Sequence, residues 1–217
     1  MRYFVKTPWW LKKIYPSYTW HIKTKEKIVY LSFDDGPHET ATSFVLDELK
    51  KYDAKATFFC VGKNVAAAPA IYQRMLEEGH TPGNHTNNHL NGWKTADEDY
   101  LKDVAEASRY ISSSLFRPPY GRIKTFQARH IPAAMNDKRA RIIMWDVLSG
   151  DFDKSLSKDQ CLQNVLLHVK RGSIVVFHDS EKAFPLLAYC LPHVLEYLSE
   201  KGFRFEGLLN SGMIKEI

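Results

Sequence analysis

Short apolar runs alternate with helical patterns along most of this chain, and this alternation restricts the fold more than any other feature. From residue 28 onward, seven runs have the length and apolar character of buried strands. They cover residues 28–33, 55–61, 81–85, 115–117, 141–146, 173–178 and 203–206. Helical patterns between and after them cover residues 39–52, 64–78, 95–114, 157–169 and 185–201. The alternation predicts βαβ units and a parallel sheet.

Seven such units fit either an open doubly wound sheet or a barrel. An open nucleotide-binding sheet would carry a glycine-rich phosphate loop after its first strand, and no such motif occurs there. Two helix starts, at residues 95–98 and 157–160, have the capping-box pattern. Residues 121–140 show no clear period, so we expect an irregular excursion there. We find no internal repeat and no linker, which favours one domain.

The composition is that of an ordinary globular protein, with 44% apolar and 25% charged residues in a 217-residue chain. The net charge of +5 comes without a block of Lys and Arg, so we expect no nucleic-acid partner. No apolar run is long enough to span a membrane and no signal-peptide pattern is visible. These features predict a cytoplasmic location, and they do not indicate an oligomeric state.

The predicted domain covers residues 26–210, between an aromatic-rich extension at 1–25 and a short tail at 211–217. The extension carries Trp9, Trp10, Tyr15, Tyr18 and Trp20. Such a segment could dock against the domain, line a substrate groove or touch a membrane surface. We expect docking.

Two adjacent carboxylates, Asp34 and Asp35, lie where the first strand ends, and Gly36 and Pro37 turn the chain directly after them. Charges at the exit of a buried strand are costly unless they are paired or bind a metal. Taken alone, this motif is also typical of a solvated turn.

Two histidines, His85 and His89, follow the third predicted strand. Four residues apart on one helical turn, both imidazoles can reach the same metal ion, although surface histidines at this spacing are common. No glutamate lies between them to act as the base of a zinc protease, so the base must come from elsewhere, and the pair at Asp34 and Asp35 is the obvious source. One carboxylate and two histidines leave positions for water and substrate on Zn²⁺ or a similar ion.

Three later segments place further polar groups at predicted strand ends. Arg117 precedes two prolines that fix the backbone, so a rigid turn can aim the N–H of Tyr120 into a cleft while the guanidinium pairs bidentately with an Asp. Asp151 lies in the loop after residues 141–146, and His178 ends the strand at 173–178. Each fits a solvated loop or the core when taken alone. Because parallel strands in a barrel end at one mouth, we interpret all these groups as one site.

The blocks SFDDGP at 32–37, HTNNH at 85–89 and RPPY at 117–120 resemble the first three motifs of the NodB-type polysaccharide deacetylases, carbohydrate esterase family 4. The ATFF block at 56–59 resembles the second strand of that family, and the likeness extends over residues 26–210. The resemblance implies a distorted (β/α)₇ barrel with helices outside. It also implies metal-dependent removal of acetyl groups from a glycan such as peptidoglycan, a chitin-like polymer or another N-acetylhexosamine polymer.

The resemblance also implies roles around a metal ion. Asp34 would be the general base and Arg117 would orient it. Asp35, His85 and His89 would hold a divalent metal, which we expect to be zinc, with cobalt or nickel as alternatives.

The same resemblance assigns the remaining catalytic groups. The backbone N–H of Tyr120 would stabilise the oxyanion of the tetrahedral intermediate. His178 would be the general acid that protonates the leaving amine, and Asp151 would hold it in orientation.

Two motifs depart from the family pattern. Leu148 and Phe152 replace an aspartate and a tryptophan of the fourth motif, and Val176 replaces a leucine of the fifth. Phe152 and Val176 would still form an apolar pocket for the acetyl methyl, so catalysis is expected to survive while substrate preference is in doubt. Trp93 could stack on a sugar face or belong to the core.

Two other functions stay open on the sequence. The site would equally serve an O-acetyl esterase acting on acetylated xylan, because an alcohol leaves with less need for a proton. A non-catalytic, metal-dependent glycan-binding domain is the second alternative, but binding alone requires neither a base at Asp34 nor an acid at His178.

Overall fold

The computed structural model describes residues 3–208, so the predicted tail at 211–217 lies outside the described residues. The strands of this part are β1 Ile28–Asp34, β2 Thr57–Cys60, β3 Thr81–Asn84, β4 Leu115–Phe116, β5 Arg141–Ile142, β6 Val147–Leu148, β7 Ile174–His178 and β8 Arg204–Phe205. Its helices are α1 Trp9–Ile14, α2 Glu39–Lys50, α3 Gly62–Ala67, α4 Pro69–Glu77, α5 Asp97–Ala107, α6 Thr125–Ala134, α7 Lys158–Leu166 and α8 Phe184–Glu200. A 3₁₀ turn covers Pro119–Gly121.

Seven of the strands form one curled parallel sheet in the order β5-β4-β3-β2-β1-β7-β6, and β8 pairs with the first residues of β1. The central strand β1 is paired on both sides, so that Asp34 lies opposite Phe59 of β2 and His178 of β7. All these pairings are parallel, which brings the carboxyl ends of the strands to one mouth. The predicted distorted (β/α)₇ barrel is confirmed.

Alternation along β1 separates the core from the site. Leu31 and Phe33 pack outward into a cluster that includes Val45 of α2 and Leu191 of α8. Successive strand residues point to opposite faces, so Ser32 and Asp34 point into the barrel. The helices thus cover the apolar outside of the sheet, while the interior is left for polar groups near the mouth.

The N-terminal segment covers the opening between β5 and β6, which are the two ends of the sheet path. Thr19 forms a parallel bridge with Ile143, and Lys6 forms an antiparallel bridge with Val147. Trp20 is buried in the core. The segment therefore docks against the barrel, as expected. The proposed domain boundary at residue 25 stays a prediction.

Of the strand expected at 141–146, only Arg141 and Ile142 form a strand, β5, and the next strand, β6, begins after this range at Val147. The middle residues of the range use their hydrogen-bonding groups elsewhere: the carbonyls of Ile143 and Met144 accept from the Arg117 guanidinium, and the N–H of Met144 donates to the carbonyl of Thr19. A strand whose backbone groups are diverted in this way leaves the ladder.

Two of the predicted helices differ clearly from the observed ones. The helix expected at 64–78 breaks at Ala68, since Pro69 disfavours the helical conformation of the residue before it and starts α4 instead. The helix expected at 95–114 begins only at Asp97, because the hydroxyl of Thr95 donates to the carbonyl of Asn91 rather than capping the helix. The capping box at Ser157 is confirmed.

The irregular excursion expected at 121–140 is wrong, because α6 lies inside it. The helix has Pro132 in its interior, which obscures its period, and the Gln127 side chain accepts from the N–H of Lys124 at its start.

Among residues 3–208, none of the helices has the length and apolar character that crossing a bilayer requires.

Candidate active site

Asp34 ends β1 with its carboxylate buried against the guanidinium of Arg117. Arg117 Nη1 donates to Asp34 Oδ1 over 2.6 Å, and both side chains are almost fully buried. The remaining donors of Arg117 bond Ser32 Oγ and the backbone carbonyls of Ile143 and Met144. The expected bidentate pairing is therefore wrong, since a single guanidinium nitrogen meets Asp34. Removing either partner of such a buried pair would leave the other without its counter-charge, which is costly there.

Asp35, His85 and His89 converge next to this pair. Asp35 Oδ1 lies 3.1 Å from His89 Nε2 and 3.8 Å from His85 Nε2, and the candidate ligand atoms all lie within 4.8 Å of one another. One carboxylate and two imidazoles at these separations match the ligand types of a catalytic zinc site.

The protonation states of His85 and Asp35 also favour binding of a cation. His85 Nδ1 lies 2.7 Å from the carbonyl of Arg117, and burial lowers the His85 pKa to about 4, so the neutral ring donates there and keeps a lone pair on Nε2. Burial opposes ionisation of Asp35, but its close contact with the His89 ring and the charges of the nearby imidazoles hold its pKa well below the usual range. Within residues 3–208, Asp35 Oδ1 is buried without a hydrogen-bond partner. These three residues fit a divalent metal ion.

The two histidines do not lie on a helical turn, contrary to the expectation. Residues 85–89 form a loop after β3, with positive φ of 62° at Thr86 and 56° at His89. The carboxylate of Asp103 on α5 holds this loop by accepting the N–H groups of Asn87 and Asn88, each over 2.9 Å. The loop brings the rings of the two histidines to a centroid separation of 5.1 Å, so they meet for a reason other than helical spacing.

The carboxylate of Asp179 stabilises the turn that carries Asp35 through two hydrogen bonds. The carboxylate of Asp179 accepts the N–H of Gly36 over 3.0 Å and the hydroxyl of Thr42 over 2.5 Å. A Cβ on Gly36 would lie 2.0 Å from Asp179 Oδ2, so this position requires glycine. Burial, with a further contribution from the Asp35 charge, raises the Asp179 pKa to about 8 despite these two bonds.

His178 faces the metal cluster from the end of β7. Its Nδ1 lies 2.8 Å from Asp151 Oδ1, and its backbone N–H donates to Asp151 Oδ2 over 2.7 Å. Burial by itself lowers the His178 pKa, but the charge and hydrogen bond of Asp151, with smaller contributions from Asp35 and Asp34, raise it to about 9. This histidine therefore carries a proton at neutral pH.

Two further predicted residues line the surroundings of this acid. The ring of Phe152 meets that of His178 edge to face at 5.0 Å. Val176, two residues earlier on β7, is buried on the same inward face as His178 and pairs with Leu148 of β6. Both apolar side chains thus lie beside or beneath the histidine.

Two aromatic residues lie at the exposed rim. Tyr120 has a positive φ of 60°, which sets the orientation of its peptide, and its ring meets that of His89 at 4.7 Å. Trp93 is 56% exposed, so the interpretation as a core residue is wrong. Its Nε1 donates to the carbonyl of Ile123, and the guanidinium of Arg122 lies 4.0 Å from its ring centroid.

The structure thus brings Asp34, Asp35, His85, Arg117 and His178 to one mouth of the barrel, with the other predicted residues around them. Sequence reasoning missed three groups that hold these side chains in place, namely Ser32, Asp103 and Asp179. Of these, Ser32 opens the SFDDGP block and Asp179 directly follows His178, whereas Asp103 had no such signal. Four of the six non-glycine residues with positive φ in the described part of the chain belong to the site, Asp35, Thr86, His89 and Tyr120, and such strain gathers at functional sites.

Comparison with known proteins identifies the class to which this site belongs. The sequence model of the polysaccharide deacetylase family matches residues 21–134. A peptidoglycan-N-acetylglucosamine deacetylase of Bacillus cereus is 32% identical over 193 residues, which are 86% of this chain and 89% of the relative. The peptidoglycan-N-acetylmuramic acid deacetylase PdaC of Bacillus subtilis is 28% identical over 84% of this chain and 38% of its own length.

Solved structures agree with the sequence comparison. A peptidoglycan N-acetylglucosamine deacetylase in complex with 4-naphthalen-1-yl-N-oxidanyl-benzamide superimposes with a TM-score of 0.82 at 30% identity, over 93% of this chain and 95% of the other. The chain belongs to the polysaccharide deacetylase family. It is a metal-dependent hydrolase that removes N-acetyl groups from a glycan, as its motifs predict.

Proposed function

We propose that this enzyme deacetylates N-acetylhexosamine units of peptidoglycan, using Zn²⁺ held by Asp35, His85 and His89. The observation that carries the proposal is the placement of this cluster between the buried Asp34–Arg117 pair and the His178–Asp151 pair. Base, metal site and acid then lie at one mouth, which is what hydrolysis of an amide requires. The substrate class is supported by relatives that are named for peptidoglycan.

The base is Asp34. A divalent ion in this cluster supplies an acidified water and polarises the acetyl carbonyl. Asp34 accepts the proton of the attacking water, and Arg117 fixes its carboxylate in position through the 2.6 Å bond to Oδ1. The Tyr120 N–H donates to the oxygen that becomes negative in the tetrahedral intermediate.

The acid is His178. Because its Nδ1 is engaged by Asp151, the proton available to the substrate is on Nε2. His178 gives this proton to the sugar nitrogen as the C–N bond breaks, so that the product leaves as an amine. Phe152 and Val176 enclose the acetyl methyl near this ring.

The high pKa of His178 favours an N-acetyl over an O-acetyl substrate. Burial opposes the charged form, yet Asp151 raises the pKa of His178 to about 9, so the acid holds its proton at neutral pH. An amine cannot leave without that proton, whereas an alcohol leaves with less assistance. The site therefore suits an amine leaving group, which requires a proton from the acid.

Acetate release tests the proposal. Metal-stripped protein would be assayed on peptidoglycan, N-acetylglucosamine oligomers and acetylated xylan, alone and with Zn²⁺, Co²⁺ or Ni²⁺. We expect release from the first two, greatest with Zn²⁺, and a loss of about 10²- to 10⁴-fold in Asp34→Asn and His178→Ala. Asp159→Asn on the outer helix α7 is the matched control and is expected to keep full activity.

Other outcomes separate the alternatives. Release from acetylated xylan alone would make the enzyme an O-acetyl esterase. No release from any substrate with any metal, together with binding of glycan by both the wild type and Asp34→Asn, would indicate a binding domain instead. The expected cytoplasmic location stays a prediction, and action on assembled peptidoglycan would require export of the chain.

A further inference from the structure

The short helix α1 has the reverse of the usual arrangement on a surface helix. Trp9 is 69% exposed and Trp10 is 44% exposed, whereas the charged end of Lys12 points inward to Asp146. A surface helix ordinarily buries its apolar side chains and exposes its charges. Exposed apolar surface of this kind marks an interaction site.

The aromatic surface is held rigidly on the barrel. Asp146 is fully buried and accepts Lys6 Nζ and Lys12 Nζ, each over 2.5 Å, and Ser173 Oγ over 2.6 Å. The N–H of Thr7 donates to the Asp146 carbonyl as well. The chain is thus tied down just before α1 and within it, which lowers the entropy lost when a ligand binds to the outer face of the helix.

The same segment reaches the catalytic mouth. Residues before α1 run antiparallel to β6, with a bridge between Lys6 and Val147 and a bond from the N–H of Leu148 to the carbonyl of Val5. Residues nearer the start of the segment therefore lie closer to the carboxyl end of β6. There the ring of Tyr3 packs on that of Phe152 at 5.3 Å.

Ring contacts lead from the catalytic histidine to Tyr3, and a second ring contact joins the next residue, Phe4, to α1. Phe152 contacts His178 at 5.0 Å, and Tyr3 contacts Phe152. Phe4, the next residue, is 57% exposed, and its ring meets that of Trp10 edge to face at 6.2 Å. We call Tyr3, Phe4, Trp9 and Trp10 the aromatic strip.

We propose that the aromatic strip binds the glycan chain beyond the sugar that occupies the active site. This proposal rests on the proposed function. Sugar rings present flat C–H faces and polar edges, and rigid aromatic side chains with one apolar face and one wet end suit such surfaces. Because Tyr3 of the strip packs on Phe152, a glycan chain leaving the active site on that side meets the strip.

Charge favours a glycan over an anionic bilayer. Helices that bind membrane surfaces direct their Lys and Arg side chains toward the water and the lipid head groups. Here Lys6 and Lys12 point into the barrel and are neutralised by Asp146. Lys13 lies over the Trp9 ring and is the basic residue of α1 left on its outside.

The test compares long and short substrates. In Trp9→Ala/Trp10→Ala, we expect KM for polymeric glycan to rise about tenfold with kcat unchanged, as for the loss of stacking contacts. Turnover of an N-acetylglucosamine trimer should not change, because it is too short to reach α1. Tyr197→Ala, which removes an exposed aromatic ring from α8, is the matched control and should change neither.

Sedimentation with insoluble peptidoglycan and with phosphatidylglycerol vesicles completes the experiment. Equal KM and equal co-sedimentation of the double variant and the wild type with the glycan would overturn the proposal. Co-sedimentation of the wild type with vesicles, lost in the variant while glycan binding is retained, would overturn it in favour of membrane binding. If the wild type releases no acetate at all, the proposed function fails, but glycan sedimentation still decides the role of the strip.

Discussion

Replacement of Asp151 by Asn tests the electrostatic account of the acid. Asn has the same shape and can still accept the N–H of His178, but it removes the charge beside Nδ1. Burial lowers the pKa of His178, and without the Asp151 charge less remains to raise it. The pKa therefore falls from about 9 to its ordinary value of about 6.5 or lower. At about 1.36 kcal/mol for each pH unit, the difference is about 3 kcal/mol.

The predicted defect therefore depends on pH. The active form carries a proton on His178, so activity is lost as the pH rises through the pKa. At pH 8 about nine tenths of the wild-type histidine is protonated, against about three hundredths in the variant, which predicts a drop of about thirtyfold. At pH 6 both forms hold the proton, and the drop from this cause is less than about twofold.

The assay is kcat/KM for acetate release between pH 5.5 and 9.5, with Asp159→Asn as the control. A cation bound at Asp35 repels the imidazolium, so the basic limb of the loaded wild type falls below pH 9. The prediction therefore concerns the displacement between the two profiles. An equal loss in Asp151→Asn at pH 6 and pH 8 would refute the reasoning and leave Asp151 as a positioning residue only.

Three other substitutions test how the site is held. In Gly36→Ala the new Cβ lies 2.0 Å from Asp179 Oδ2, so we expect a loss of about 1–3 kcal/mol in the free energy of unfolding by urea, together with lower activity. Arg117→Met leaves Asp34 as an unpaired buried charge and should cost about 3–5 kcal/mol by the same measurement, and a normal unfolding midpoint would contradict this. Asp103→Ala releases the loop between the histidines, so Zn²⁺ affinity measured by titration calorimetry should fall about 10- to 100-fold, and unchanged affinity would count against the clamp.

Parallel topology explains why the main groups of the site could be located from sequence. Asp34 and His178 lie 144 positions apart, yet both end a β-strand, and neighbouring parallel strands end at the same edge of a sheet. Local signals sufficed to place the two strand ends. Their register, with Asp34 directly opposite His178, followed from the structure alone.

Loops between those strands could not be predicted in the same way. The spacing of His85 and His89 indicated a helical turn, but positive φ at Thr86 and His89 gives the segment another path. Such conformations cost energy and persist only when tertiary contacts stabilise them. The contact here is the carboxylate of Asp103, which comes from a helix that begins only after the loop, and no local pattern marks it.

The closure of the barrel depends on contacts that are still more distant in sequence. Between β5 and β6 the ladder stops, because Arg117 takes the carbonyls of Ile143 and Met144 in order to hold Asp34. The hydrogen bonds by which Arg117 is held against the catalytic base thus also interrupt the strand pairing between β5 and β6. The N-terminal segment fills the opening between these strands with Thr19 and with the lysines that reach Asp146.

The hydrogen bonds of Arg117 therefore connect the catalytic base with the docking of the N-terminal segment. A sheet that diverts its backbone groups to a buried guanidinium needs a substitute for the lost pairing, and the segment supplies it. Once anchored there, the segment brings Tyr3 against Phe152 and thus to the side of the acid. An aromatic extension that the sequence left with three possible roles is, in this structure, part of the barrel wall beside the candidate active site.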